Sequence, residues 1–191
     1  HLTTRRQRQM CIRDRLGGCI HKVIPDRIEA GTFLIAAAAT SSSITISPVI
    51  PSHLESVTNK LQESGSKIII KGNSITINPK ELKAVNIKTA PFPGFPTDLQ
   101  APFTALMTIA NGESKITETI FENRMNHINL LKKMGANIKL DKNVAYIKGV
   151  KTIKGMDLVA SDLRSSAALI IAGIIAKGSS KIYGLEHLDR G

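Results

Sequence analysis

The chain repeats one pattern of segments three times, and this repetition constrains its fold more than any other feature. Three Asp residues, Asp26, Asp98 and Asp162, each precede an apolar helical run, at spacings of 72 (98 − 26) and 64 (162 − 98) residues. Each run is followed by a small polar turn and a short strand-like segment, with the sequences SITIS, KITET and SKIYG. Alternating helices and strands in repeated copies predict an α/β domain.

The first two copies continue with an amphipathic helix and two strands around a turn. In the second copy, MNHINLLKKMGA places Ile128, Leu131 and Met134 on one face of a helix. Gly135 follows at the position expected for a helix C′ residue, and Gly65 occupies the same place in the first copy. The predicted unit is therefore βαβαββ.

The copies span about residues 25–88, 89–150 and 151–191. The third stops where its second helix would begin, so we expect a truncated third repeat and a chain that is part of a longer protein. The first helices are apolar on nearly every side, and a helix without a polar face must be enclosed. AALIIAGIIA (167–176) is therefore expected to be fully buried, and its ten residues are too few for a membrane span of about 20.

These features together predict an α/β (α+β) fold of the inside-out α/β barrel type. Three βαβαββ repeats would form a pseudo-threefold prism around buried central helices, with the Asp-bearing helix N-termini near one end. Residues 16–24 would enter this domain as a strand or linker.

The net charge of +11 is unevenly distributed. Residues 1–15 contain five Arg and one Asp, which supply +4 and leave 11 − 4 = +7 for the rest. We interpret residues 1–15 as a non-native basic leader, with a nucleic-acid-binding arm as the alternative. Two Cys and five His show no disulfide or metal spacing, and Cys19 is expected to be a small core residue.

A stiff loop presents Asp98. The stretch TAPFPGFPTDLQAPF, residues 89–103, contains four prolines and one acidic residue. Asp is a good helix N-cap, and capping is the favoured interpretation for Asp26 and Asp162. We expect Asp98 to cap its helix and also to act chemically there, because a helix N-terminus attracts anionic ligands.

Several motifs resemble those of the UDP-N-acetylglucosamine enolpyruvyl transferases, over about residues 16–191. The resemblance is carried by HKVIPDRIEAGTFLIAAA, FPTDLQA, ITETIFENRMNHI, LLKKMGA, DLRSSAAL and HLDRG. It implies transfer of enolpyruvyl from phosphoenolpyruvate to the 3-hydroxyl of UDP-N-acetylglucosamine, without a cofactor or metal. This is the first committed step of bacterial peptidoglycan synthesis, a cytoplasmic reaction on which cell wall biogenesis, cell shape, cell division and the cell cycle depend.

The family has two domains, and the resemblance implies that residues 25–191 cover most of one. Residues 16–24 resemble the strand that crosses from the other, N-terminal catalytic domain. That domain carries the proton-donating Cys loop of the family, which this chain lacks, so we expect the isolated chain to be inactive.

The resemblance also implies site residues. Asp98 matches the carboxylate that takes the hydroxyl proton and contacts the sugar. Ile120 matches a backbone contact to the UDP-sugar, and Phe121 would line the same pocket; packing at a strand end is the alternative for both. Arg124 would pair with an anionic ligand or with another loop.

Five further residues are expected to face the cleft between the domains. Asp189 and Arg190 resemble a cleft-facing pair of the family, with a surface ion pair as the alternative. Asp26, Arg27 and Arg164 are also candidates, besides the capping role of the aspartate.

Two other functions remain open at this stage. One is an enolpyruvyl transferase of the shikimate 3-phosphate type. The other is a non-catalytic basic binding module, which the 4% aromatic content, the absence of Trp and the scattered lysines disfavour. We therefore expect neither nucleic acid nor a membrane as a partner.

Overall fold

The computed structural model describes residues 18–184 and residue 186. The basic leader, Asp189 and Arg190 lie outside these residues. Residues 18–26 form neither helix nor strand, so the strand expected at 16–24 is absent from its described part, and the linker interpretation stays a prediction. Cys19 is exposed, which contradicts its expected place in the core, because this irregular segment does not pack its side chain against the domain.

The first repeat forms two helices and a three-stranded sheet. Both outer strands pair antiparallel with the middle strand, in the order β1-β3-β2. The elements are α1 (Arg27–Ala39), β1 (Ile44–Ile46), α2 (Glu55–Glu63), β2 (Lys67–Lys71) and β3 (Ser74–Asn78).

The second repeat has the same order of elements with one strand added at its start. Its sheet has the order β4-β5-β7-β6, in which the short first strand pairs parallel with β5 and the other pairs are antiparallel. A 3-10 turn, Thr97–Leu99, precedes its first helix. The elements are β4 (Ile87–Lys88), α3 (Gln100–Met107), β5 (Glu113–Thr117), α4 (Asn126–Lys133), β6 (Asn137–Asp141) and β7 (Val144–Lys148).

The described part of the third repeat consists of β8 (Asp157–Val159), α5 (Leu163–Ile175) and β9 (Lys181–Tyr183). Its two strands pair parallel, as β4 and β5 do. The fold is thus mixed α/β, as the sequence predicted. None of the helices in the described residues has the length and apolar character needed to cross a bilayer.

The first helices of the three repeats, α1, α3 and α5, contact one another in the core. All residues of α3 are buried. Gly31 lets α1 approach the Thr97–Leu99 turn, because a Cβ at this position would lie 2.3 Å from a Leu99 methyl carbon. This close contact brings the start of α1 against the segment that carries Asp98.

The amphipathic helices follow their predicted patterns. Ile128, Leu131 and Met134 are fully buried on the inner face of α4 and its C-cap. Gly65 and Gly135 have φ values of +103° and +96°, which confirms both as C′ residues in the left-handed region that glycine favours.

The prediction that AALIIAGIIA is fully buried is wrong for one side of α5. Leu169 and Ala172 have no exposed surface, whereas Ile174 is 60% exposed. The buried side packs on α3, α4 and β9, and no described element covers Ile174.

Candidate active site

Asp98 lies at the centre of the 3-10 turn that joins the proline-rich loop to α3. Several contacts hold this loop in place. The Ala90 amide donates to the Phe95 carbonyl at 3.0 Å, and the Ser56 hydroxyl of α2 donates to the Gly94 carbonyl at 3.1 Å. The Phe95 ring packs edge-on against Phe103 of α3, with 5.3 Å between centroids. The loop therefore presents Asp98 from a fixed backbone.

The expectation that Asp98 caps a helix is wrong. Neither the 3-10 turn nor α3 has a side-chain cap, and the Asp98 carboxylate turns instead toward two guanidinium groups. Its Oδ1 accepts from Arg164 Nε at 2.6 Å and lies 3.4 Å from Arg124 Nη1. In these contacts both the donor and the acceptor are charged, and the two guanidinium groups take the place of backbone N–H donors at this carboxylate.

Asp26 and Asp162, by contrast, are N-caps as predicted. Asp26 Oδ1 accepts from the Ile28 amide at 2.7 Å. Asp162 Oδ1 accepts from the amides of Arg164 and Ser165 at 3.0 and 3.1 Å. Partial burial alone would raise the pKa of Asp162, but hydrogen bonds from Ser165, Ser161 and the Arg164 amide outweigh it and lower the pKa below its ordinary value.

The two arginines come from different repeats. Arg164 lies in the first turn of α5, whereas Arg124 lies just before α4. The Arg124 guanidinium stacks on the Phe121 ring at 3.6 Å from its centroid and donates to Thr97 Oγ1 at 3.3 Å. An Arg before a helix opposes the helix dipole, and here stacking and the Asp98 charge compensate for that.

The cluster of Asp98, Arg124 and Arg164 is open to solvent and carries an excess positive charge. The side chains of Asp98, Arg164 and Arg124 are 39%, 34% and 21% exposed, respectively. Two guanidinium groups and one carboxylate sum to +1. Chemically, this arrangement can bind an anionic group next to a carboxylate that accepts a proton or a hydrogen bond.

Sequence reasoning missed Glu118, a buried acid directly behind this cluster. Glu118 is 2% exposed, and its carboxylate accepts four hydrogen bonds. The donors are the hydroxyls of Thr89 and Thr97 and the amides of Ile120 and Phe121. The one signal in the sequence is the position of this acid directly after a predicted strand, in the motif TET, and that position does not separate a buried acid from a surface one.

Ile120 and Phe121 lie in the loop after β5, three and four residues beyond its end. Ile120 is half-buried, and Phe121 is exposed beside Arg124. Because the Ile120 amide is bonded to Glu118, the Ile120 carbonyl is the backbone group left to contact a ligand.

Asp26 and Arg27 lie at the start of α1. Within the described residues, neither side chain forms an ion pair with the cluster. The Arg27 guanidinium stacks on Phe92 of the proline-rich loop, 4.7 Å from the ring centroid. The edge of His53 packs on the same ring at 5.9 Å. Arg27 therefore contacts the loop that leads to Asp98.

Side chains that bind metals are dispersed over the described residues. No group of three or more His, Cys, Asp or Glu side chains among them could hold a metal ion. His127 is buried in α4, and its Nε2 has no hydrogen-bond partner among the described residues.

Comparison with known proteins relates this geometry to a family. The family model described as EPSP synthase (3-phosphoshikimate 1-carboxyvinyltransferase) matches residues 3–191. The chain is 86% identical over 178 residues to UDP-N-acetylglucosamine 1-carboxyvinyltransferase of Prochlorococcus marinus strain MIT 9312, covering 93% of this chain and 39% of that protein. A protein of the same name from P. marinus subsp. pastoris is 76% identical over 177 residues, with the same coverage.

Solved structures agree with this relationship. The enolpyruvyl transferase NikO from Streptomyces tendae superimposes with a TM-score of 0.80 at 27% identity, over 88% of this chain and 41% of that one. EPSP synthase from Acinetobacter baumannii shares the fold, with a TM-score of 0.66 at 15% identity, over 85% of this chain and 40% of that one. The chain thus spans 39% of the length of the first two curated relatives named above. The resemblance seen in the motifs is confirmed, and the chain belongs to the EPSP synthase (3-phosphoshikimate 1-carboxyvinyltransferase) family.

Proposed function

We propose that this chain carries the Asp98 side of the active site of a UDP-N-acetylglucosamine enolpyruvyl transferase. The observation that carries the proposal is the Asp98 carboxylate held between Arg164 and Arg124 on an open surface. The name of the 86%-identical relative supports the choice of substrates. A second lobe would supply the remaining groups, which accords with the chain spanning 39% of that relative.

The proposed reaction is an addition followed by an elimination. The oxygen of the sugar 3-hydroxyl bonds to C2 of phosphoenolpyruvate while Asp98 accepts the proton of that hydroxyl. A donor from the second lobe protonates C3. Loss of a proton from C3 and cleavage of the C2–O bond to phosphate then restore the double bond and release inorganic phosphate. Asp98 contributes mainly through its fixed position against the sugar hydroxyl.

The neighbouring residues have supporting roles in this proposal. Arg164 and Arg124 bind anionic groups of the substrates, and the Ile120 carbonyl and the Phe121 ring line the sugar pocket. Asp26 and Arg27 face the cleft from the start of α1, and the Arg27–Phe92 stack supports that placement. We also propose that Asp189 and Arg190, which lie outside the described residues, face the cleft as a pair.

The finer features expected from the sequence belong to the same proposal. The contacts among α1, α3 and α5 support a pseudo-threefold prism of βαβαββ repeats with the helices at its centre. The proposed reaction would place the protein in the bacterial cytoplasm, in peptidoglycan synthesis and so upstream of cell division.

The test is a hybrid enzyme in which the matching segment of this chain replaces the corresponding 178 residues of the P. marinus MIT 9312 relative. Phosphate release from phosphoenolpyruvate with UDP-N-acetylglucosamine is measured. We expect Asp98→Asn to lower kcat by about 10²–10⁴-fold, and Arg164→Lys to lower it as well, since Lys lacks the Nε that bonds Asp98. Asp157→Asn, at an exposed position in β8, is the matched control and should retain activity. Full activity of Asp98→Asn would remove this residue from the mechanism.

The alternative substrates are separated by saturation-transfer NMR on the same hybrid. UDP-N-acetylglucosamine should receive saturation, and shikimate 3-phosphate should not. The reverse result would favour the shikimate type, the activity for which the family model is named.

A further inference from the structure

We infer that Glu118 is a positioning residue that holds Asp98 and the Ile120–Phe121 loop in one fixed arrangement. This inference rests on the proposed function, since it concerns the geometry of that site. Glu118 is buried, and nothing in its position suggests contact with a substrate.

The four hydrogen bonds of Glu118 join three separate segments. Oε1 accepts from Thr89 Oγ1 and the Ile120 amide, both at 2.8 Å, and from the Phe121 amide at 3.3 Å. Oε2 accepts from Thr97 Oγ1 at 2.7 Å. One carboxylate thereby connects the start of the proline-rich loop, the turn that carries Asp98 and the loop after β5.

Thr97 transmits the position of Glu118 to the reacting carboxylate. It precedes Asp98 in the same 3-10 turn, and its hydroxyl also accepts from Arg124 Nη1 at 3.3 Å. Displacing the Thr97 hydroxyl would therefore shift both Asp98 and the guanidinium next to it. A misplacement of about 1 Å can cost about 100-fold in rate.

The distribution of donors over the two carboxylate oxygens predicts which substitution can rescue function. Among the residues that the structure describes, three donors bond Oε1 and Thr97 alone bonds Oε2. A Gln at position 118 would keep one oxygen for the three donors and donate its amide to Thr97, whose hydroxyl can rotate to accept. An Ala would leave all four donors without their acceptor.

Steady-state kinetics of the hybrid enzyme separate positioning from general stability. We expect Glu118→Ala to lower kcat by about 100-fold and to raise KM for UDP-N-acetylglucosamine, because both sides of the site lose their support. Thr97→Val should lower kcat by about tenfold and raise KM less than Glu118→Ala does, because Arg124 loses one bond while the Ile120–Phe121 side stays bonded. The kcat of Glu118→Gln should be at least tenfold higher than that of Glu118→Ala.

Thr108→Val is the matched control. Thr108 is also buried, and within residues 18–184 and 186 its hydroxyl donates to one group, the Ala105 carbonyl of α3. This variant should keep wild-type kinetics. Equal kcat losses in Glu118→Ala and Glu118→Gln, or no loss in Glu118→Ala, would overturn the positioning role.

A second measurement on the chain itself needs no activity. Amide hydrogen exchange by NMR should be slow at Ile120 and Phe121, faster at both in Glu118→Ala, and unchanged there in Thr97→Val. Unchanged exchange in Glu118→Ala would refute the inference. If the unsubstituted hybrid has no turnover, the proposed function fails. Faster amide exchange in Glu118→Ala would then still support the role of Glu118 in positioning the Ile120–Phe121 loop.

Discussion

The burial of His127 makes the stability of this domain depend on pH. His127 is 1% exposed in α4, and its Nε2 has no hydrogen-bond partner in the part of the chain that the structure describes. Burial lowers its pKa from an ordinary value of 6.5 to about 4, although the negative charge of Asp162 partly opposes the shift. The folded state therefore holds a neutral imidazole at a pH where the unfolded chain is protonated.

The sign and size of the effect follow from linkage. Between pH 6.5 and about 4 the unfolded state binds more protons at this site, so stability falls as the pH falls. A shift of about 2.5 pKa units corresponds to about 3 kcal/mol over the whole interval. With a His127 pKa of 6.5 in the unfolded chain and about 4 in the folded chain, lowering the pH from 7 to 5 reduces the free energy of unfolding by about 2 kcal/mol.

Urea unfolding at pH 7 and pH 5 measures this loss. We compare the chain with His127→Leu, which has no titrating group, and with His21→Asn at an exposed position as the control. The chain and His21→Asn should each lose about 2 kcal/mol more than His127→Leu. An equal pH dependence in His127→Leu would show that His127 does not titrate as its burial requires.

Two further substitutions test local packing and capping by urea unfolding. Asp162→Ala should cost about 1 kcal/mol at pH 7 through loss of the α5 cap. Because the pKa of Asp162 is lowered in the folded state, this difference should shrink as the pH falls below the ordinary value of 3.8, and a constant difference would contradict the assignment. Gly149→Ala should cost at least about 1–3 kcal/mol, because its Cβ would lie 1.6 Å from the Ala110 carbonyl oxygen. Gly18→Ala, whose Cβ would meet no described atom within 4 Å, should be neutral, and equal stabilities of the two variants would refute this explanation.

The features that the sequence predicted well depend on contacts within a few residues. Asp26 and Asp162 cap their helices by accepting from amides two or three positions ahead. Gly65 and Gly135 end helices because only glycine adopts their positive φ without strain. These local rules, applied to a repeated pattern, were enough to predict the mixed α/β fold and most of its elements.

The features that the sequence did not reveal depend on distant residues. Asp98 precedes an apolar helical run as the two capping aspartates do, yet it bonds Arg164, which is 66 positions away. The residues around Glu118 do not distinguish it from a surface acid, and only the folded chain brings Thr89 and Thr97 to its carboxylate. The exposed side of α5 likewise could not be predicted, since apolar periodicity alone does not say which neighbours cover a helix.

The sequence by itself therefore determined the repeated unit, the helix ends and the family, because each rests on short-range patterns of residue type. The tertiary structure decided which of three similar aspartates faces two arginines and which buried acid supports it. Both outcomes arise when α3 packs against α5 and the loop after β5 closes on the proline-rich loop. A charge-assisted bond between segments exists only after such packing, and so it cannot be recognised from local spacing.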